Sequence, residues 1–116
     1  MDAERVHVTL SKDYYLYFNR WAVEAIGNPD GVALLFDSRQ KVIGVMPAAL
    51  GKKHVFPLRA KKSTGRGRLI NVKGFCRKFG IKPAETIAFQ TAEVNRDGIL
   101  LLDMNAVLLV VKLSTP

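Results

Sequence analysis

The sequence predicts a mainly β domain with two short helices, assembled from a hairpin–short helix–hairpin unit that occurs twice. Three observations lead there: period-two apolar alternation near the N-terminus, two asparagine-to-glycine helix signatures of nearly equal length, and a polar turn between apolar strands after each helix. The chain has 116 residues, 48% of them apolar, which suits a single domain over 1–116 with a modest core.

The elements follow in order. Val6, Val8 and Leu10 alternate with His7 and Thr9, which predicts a strand with one buried face. Ser11-Lys12-Asp13 turns the chain into a second strand, Tyr14 to Phe18. Period two puts Tyr14, Leu16 and Phe18 on one face and Tyr15 and Tyr17 on the other, so the aromatics read as sheet and core packing. Asn19 then opens a short helical pattern that Gly27 closes and Pro29 keeps from resuming. The asparagine side chain accepts from free N–H groups of the first turn, the glycine takes a left-handed conformation, and proline cannot continue a helix. Trp21 with Ala25, and Ala22 with Ile26, supply i,i+4 packing faces. Val32 to Phe36, the turn Asp37-Ser38-Arg39-Gln40 and Val42 to Met46 complete a first unit over about 5–47.

Residues 48–54 connect it to a second unit over about 55–103. There Val55 to Ala60 leads into the loop Lys61-Lys62-Ser63-Thr64-Gly65-Arg66-Gly67 and returns through Arg68 to Ile70 as a hairpin. Asn71 to Gly80 repeats the helix signature, with Phe75 and Phe79 at i,i+4 and Pro83 beyond. Asn19 to Gly27 spans eight residues and Asn71 to Gly80 nine. Helices of about two turns are unstable alone, so both must pack on a sheet. Thr86 to Phe89, the turn Asn95-Arg96-Asp97-Gly98 and Ile99 to Leu102 close the unit. The tail, 104–116, is apolar from Ala106 to Val111 and fits an edge strand, a partner contact or a free extension.

Charge supplies the functional expectation. The net charge is +8, and between Ser38 and Ala84 there is no acidic residue. That segment holds 13 of the 18 basic residues, a concentration that an anionic partner relieves. From Arg59 to Arg68 the loop combines Arg59, Lys61, Lys62, Arg66 and Arg68 with Ser63, Thr64, Gly65 and Gly67. Glycines let a backbone approach phosphates, hydroxyls donate to phosphate oxygens, and arginine forks onto phosphate or guanine. These five cations are the expected phosphate contacts, with Lys52, Lys53 and Lys12 peripheral. The competing reading is a solvated hairpin tip that serves solubility.

Gly67-Arg68-Leu69-Ile70-Asn71, Phe75-Cys76-Arg77-Lys78-Phe79-Gly80-Ile81-Lys82, Ile87-Ala88-Phe89 and Gly98-Ile99-Leu100-Leu101 together resemble the AbrB/SpoVT swapped-hairpin family. Two such units in one chain are similar to the arrangement in MraZ-type proteins. The resemblance covers about Val55 to Asp103, and Val6 to Pro47 more weakly. It implies a small pseudo-symmetric barrel of interlocked hairpins that binds DNA through basic residues of the first hairpin in each unit. Arg68 matches the family's strand arginine and Arg77 its helix arginine, the latter equally suited to bracing the barrel. Asn71 stands where the family usually has proline, and Ala84-Glu85 where it has Gly-Asp; the first unit has neither arginine in register.

Other chemistry finds little support. His7 and His54 have no metal-ligand spacing, and Cys76 sits within a helix pattern as a small core residue. Asp37, Asp97 and Asp103 fall at turns or strand ends, where aspartate bonds locally. No cofactor or metal is expected, and the chain reads as a non-enzyme. A single cysteine excludes an internal disulfide and fits a reducing, cytoplasmic location. The charged Met1 to Arg5 segment does not read as a signal peptide. The longest apolar run, six residues, falls far short of the roughly 20 that cross a bilayer. The expectation is a DNA-binding regulator or architectural factor. Its alternative is an assembly module that self-associates through the apolar tail, and charge alone fits RNA as well as DNA.

Overall fold

The computed structural model describes residues 6–60 and 65–110. The N-terminal alternation forms β1 (Val8–Leu10) and β2 (Tyr15–Phe18), paired antiparallel with Val8 opposite Phe18 and Leu10 opposite Leu16. All four of these side chains are buried. The turn between them closes through Tyr14 N–H donating to the Ser11 carbonyl at 3.0 Å.

After α1 (Arg20–Ala25) come β3 (Gly31–Asp37) and β4 (Val42–Ala48), then β5 (Val55–Pro57) and β6 (Arg68–Asn71). Next are α2 (Lys73–Phe79), β7 (Ile87–Phe89), β8 (Ala92–Val94), β9 (Leu100–Asp103) and β10 (Val107–Leu109). The strands form two antiparallel five-stranded sheets, ordered β10-β7-β1-β2-β6 and β5-β3-β4-β9-β8. A single bridge, Arg59 to Leu69, links the chain after β5 to β6. The core lies between the sheets: Ile43, Val45, Leu100 and Leu102 from one, Val8, Leu10, Leu16, Phe18 and Ile70 from the other.

Both helices are punctuated by the residues expected. The Asn19 side chain accepts from Ala22 N–H at 3.0 Å and also from His7 N–H at 3.1 Å, tying the helix start to the strand before it. Asn71 accepts from Lys73 N–H at 3.0 Å, but the capping position itself is Val72, which is buried. That one inserted residue accounts for the nine-residue spacing of the second signature. At the other end Gly27 and Gly80 both have positive φ, +88° and +68°. The next residues, Asn28 and Ile81, each donate five residues back, to Val23 and Cys76, so the two helices end in the same left-handed closure.

Packing departs from expectation in α1. Ala22, Val23 and Ile26 face the core, while Trp21 is half-exposed. In α2, Phe75 and Phe79 pack on Phe36 of β3, with ring centroids 6.3 Å and 5.1 Å away. Cys76 is fully buried, and burial pushes its thiol up to about 11.

Strand partners are corrected in two places, and the tail is resolved among its alternatives. Val55 to Ala60 does not pair with Arg68 to Ile70 as one hairpin: β5 lies on β3 (Val55 opposite Ala33), and only Arg59 reaches β6. Pro57 has no N–H to donate, and Leu58 N–H goes to the Asp30 carbonyl. The turn at Asn95–Gly98 joins not β7 to β9 but an additional strand, β8, to β9. The exposed polar pair Gln90-Thr91 breaks the apolar run there, and β7 stays on β1 in the other sheet. The tail, over its described residues, is an edge strand: β10 pairs with β7, Leu108 opposite Ala88. Among the described residues no helix is long and apolar enough to cross a membrane.

Candidate nucleic-acid interface

The β5–β6 region is built around Gly67, which is buried where the chain enters β6. A Cβ at this position would lie 2.6 Å from Tyr17 Oη, 2.7 Å from Tyr17 Cε1 and 2.9 Å from the Phe18 carbonyl oxygen. Only glycine lets the tyrosine ring of β2 lie across the entry to β6. Arg68 then folds back on its own loop: its Nη1 donates to the carbonyls of Gly67 at 2.8 Å and Arg66 at 3.1 Å. Those two bonds leave three of the five guanidinium N–H donors for other partners. Arg68 therefore braces the base of the loop as well as charging it. Arg59 is exposed and joins the same strand row through its bridge to Leu69.

Beside this base is a site that the sequence reading missed. Tyr17, Asn19, Arg20, Trp21, Arg66 and Gly67 line an open hollow of about 440 Å³. The Arg20 guanidinium carbon stands 4.4 Å from the centroid of the Trp21 ring, within the range of a cation–π attraction. Its Nε is buried and has no hydrogen-bond partner. Two arginines from distant parts of the chain thus share one hollow, and among the described residues none that lines it is acidic. The sequence carries no periodic signal for it, because neighbours at i,i+1 on a helix do not ordinarily face each other.

The structure brings together Arg59, Arg66 and Arg68, and adds Arg20. Lys61 and Lys62 lie outside the described residues. Lys12 is not part of this group: it sits in the β1–β2 turn, beyond Tyr15, whereas Arg68 pairs with Phe18 at the other end of β2. Lys52 and Lys53 are exposed in the β4–β5 connector, next to His54. His54 shares a separate hollow of about 390 Å³ with Phe75, Lys78 and Phe79. These two lysines thus belong with the basic face of α2, where Lys73, Arg77 and Lys78 are exposed.

Two of the acids are engaged within their own turns. Asp37 accepts from the N–H groups of Arg39 and Gln40 in its turn, and Asp103 from Asn105. In the Asn95–Gly98 turn the capping acceptor is Asn95, which takes the N–H groups of Asp97 and Ile99. Among the described residues no lysine or arginine is ion-paired with a carboxylate. Nor, among them, does any group of three or more histidines, cysteines and acids stand where it would hold a metal ion. No family model matches the chain, and neither a curated protein nor a solved structure matches it.

Proposed function

We propose that this chain binds DNA through the basic connection between β5 and β6, on a duplicated swapped-hairpin-type barrel, as a transcriptional regulator or architectural factor of the cytoplasm. The observation that carries the reading is the convergence of Arg20, Arg59, Arg66 and Arg68 in one region where the described structure supplies no carboxylate to neutralise them. Uncompensated arginines at a glycine-rich bend suit phosphate oxygens.

The pairing pattern supports the duplicated architecture. Tyr17 and Leu69, which occupy matching places in the two repeats, stand opposite each other in the β2–β6 ladder. Gly44 and Leu101 do the same in the β4–β9 ladder. A twofold relation through these points carries β1 onto β5, and β3 onto β7 followed by β8. The ladders follow it: β1 joins β2 to β7, and the β5 arm joins β6 to β3. By the same relation β4 corresponds to β9 followed by β10, because β10 pairs with β7 as the end of β4 pairs with β3.

The test is retention of random-sequence duplex DNA by wild type and by Arg66→Ala/Arg68→Ala across a salt series. Wild-type affinity should fall with salt at a log–log slope of about −3 or steeper, since each neutralised phosphate contributes about 0.9. The double variant should bind more weakly and with a shallower slope. Equal binding by both proteins removes the hairpin from the interface, and no binding by wild type removes the DNA reading.

A second reading has its own observation. The edge strand β10 exposes Leu108 at 55% and Leu109 at 64%, followed by Val110 at 47%. Unpaired, uncharged edges template strand addition, which favours self-association through this segment. Concentration-dependent assembly that Leu108→Lys/Leu109→Lys abolishes, in the absence of nucleic acid, would support it.

A further inference from the structure

We infer that Arg20, held on Trp21, and Arg66 form a clamp for one phosphate of a nucleic-acid backbone, so that the first repeat contributes directly to binding; this rests on the DNA reading above. The two cations come from different repeats and meet only because β2 and β6 pair, with Phe18 opposite Arg68. Arg20 follows β2 through Asn19, and Arg66 precedes β6 through Gly67. Both line the same hollow, where the Tyr17 ring packs directly on Gly67.

Chemistry favours phosphate over the alternatives. With its guanidinium carbon 4.4 Å from the indole centroid, Arg20 is held beside the hollow it lines and brings its planar fork of donors there. An edge of parallel donors matches two oxygens of a phosphodiester. Its Nε is buried, so the contact falls to the terminal Nη donors. Asn19 is already engaged through its side-chain oxygen, which accepts from Ala22 and His7, so the anion-binding capacity falls to the arginines. The hollow is open, as a site for a polymer must be, since the chain has to pass through it.

Trp21 is the one tryptophan of the protein, so the clamp reports on itself. The experiment titrates full-length wild type, Arg20→Gln and Arg20→Lys with a labelled random 20-base-pair duplex. It follows label anisotropy for binding and Trp21 emission for the clamp, with circular dichroism to verify that each variant is folded. Wild type should change its Trp21 emission in step with anisotropy. Arg20→Gln should bind roughly tenfold more weakly and lose about 0.9 from the salt slope. Arg20→Lys, which keeps the charge and gives up the plane, should fall between them and keep the slope. If wild type binds while Arg20→Gln matches it in affinity and slope and Trp21 emission stays constant, the clamp is refuted and the hairpin reading stands. If wild type does not bind the duplex, both fall together.

Discussion

Replacing Gly67 with alanine tests the packing that holds the candidate interface in place. The added methyl would sit 2.6–2.7 Å from the Tyr17 ring and 2.9 Å from the Phe18 carbonyl oxygen, all inside contact distance. The ring can swing away, but the carbonyl belongs to β2 where Phe18 pairs with Arg68, so the backbone must give as well. Overpacking of this kind costs about 1–3 kcal/mol. For a chain of this size that corresponds to a Tm lower by roughly 4–12 °C. The assay is thermal and urea unfolding, followed by far-ultraviolet circular dichroism, on wild type, Gly67→Ala, Tyr17→Thr and the double variant. Removing the ring should relieve the tyrosine part of the clash and leave the carbonyl part. The double variant should therefore be more stable than the sum of the single effects predicts, by about 1 kcal/mol. Gly67→Ala within about 0.5 kcal/mol of wild type, or strict additivity with Tyr17→Thr, would refute the close approach of strand and ring.

Other perturbations are graded by the same structure. Asn19→Ala removes acceptors for both Ala22 and His7 N–H groups and should cost about 1–2 kcal/mol in urea unfolding. Asn71→Ala loses the bond to Lys73 and should cost about half as much; the reverse order would contradict the two capping geometries. Phe36→Ala removes the ring on which Phe75 and Phe79 both pack and should cost about 3 kcal/mol. Phe79→Ala, at a site 37% exposed, should cost roughly half that. Cys76 should resist a disulfide-exchange reagent at pH 8 until the protein is unfolded, because burial lifts its thiol from 9.0 to about 11. The folded state holds that proton more tightly than the unfolded chain, so its contribution is intact below pH 9 and declines between about 9 and 11. The stability gap between wild type and Cys76→Ala should accordingly narrow from pH 8 to pH 10, and a constant gap would contradict it.

Local chemistry was legible in the sequence, and long-range partnership was not. Alternation identified Val8, Leu10, Leu16 and Phe18 as a buried face, because side-chain direction in a strand depends only on the neighbouring residues. Asn19, Gly27 and Gly80 marked helix limits because capping and left-handed closure act within one turn. The acid-free segment singled out Arg66 and Arg68, since charge is countable without coordinates, but left out Arg20, which lies beyond it.

What tertiary structure decided is who pairs with whom. The β5 arm serves two sheets, β7 and β8 part company at Gln90-Thr91, and β10 closes an edge. Hydrophobic pattern ranks faces, not neighbours, so none of these pairings is written in any single strand. The same holds at the site. Arg20 and Arg66 share a hollow because β2 and β6 run side by side and Gly67 lets Tyr17 close the gap. Lys12 belongs to the far end of that same strand. Distance along the chain could assign neither position, because the sheet, and not the segment, sets which cations face one another.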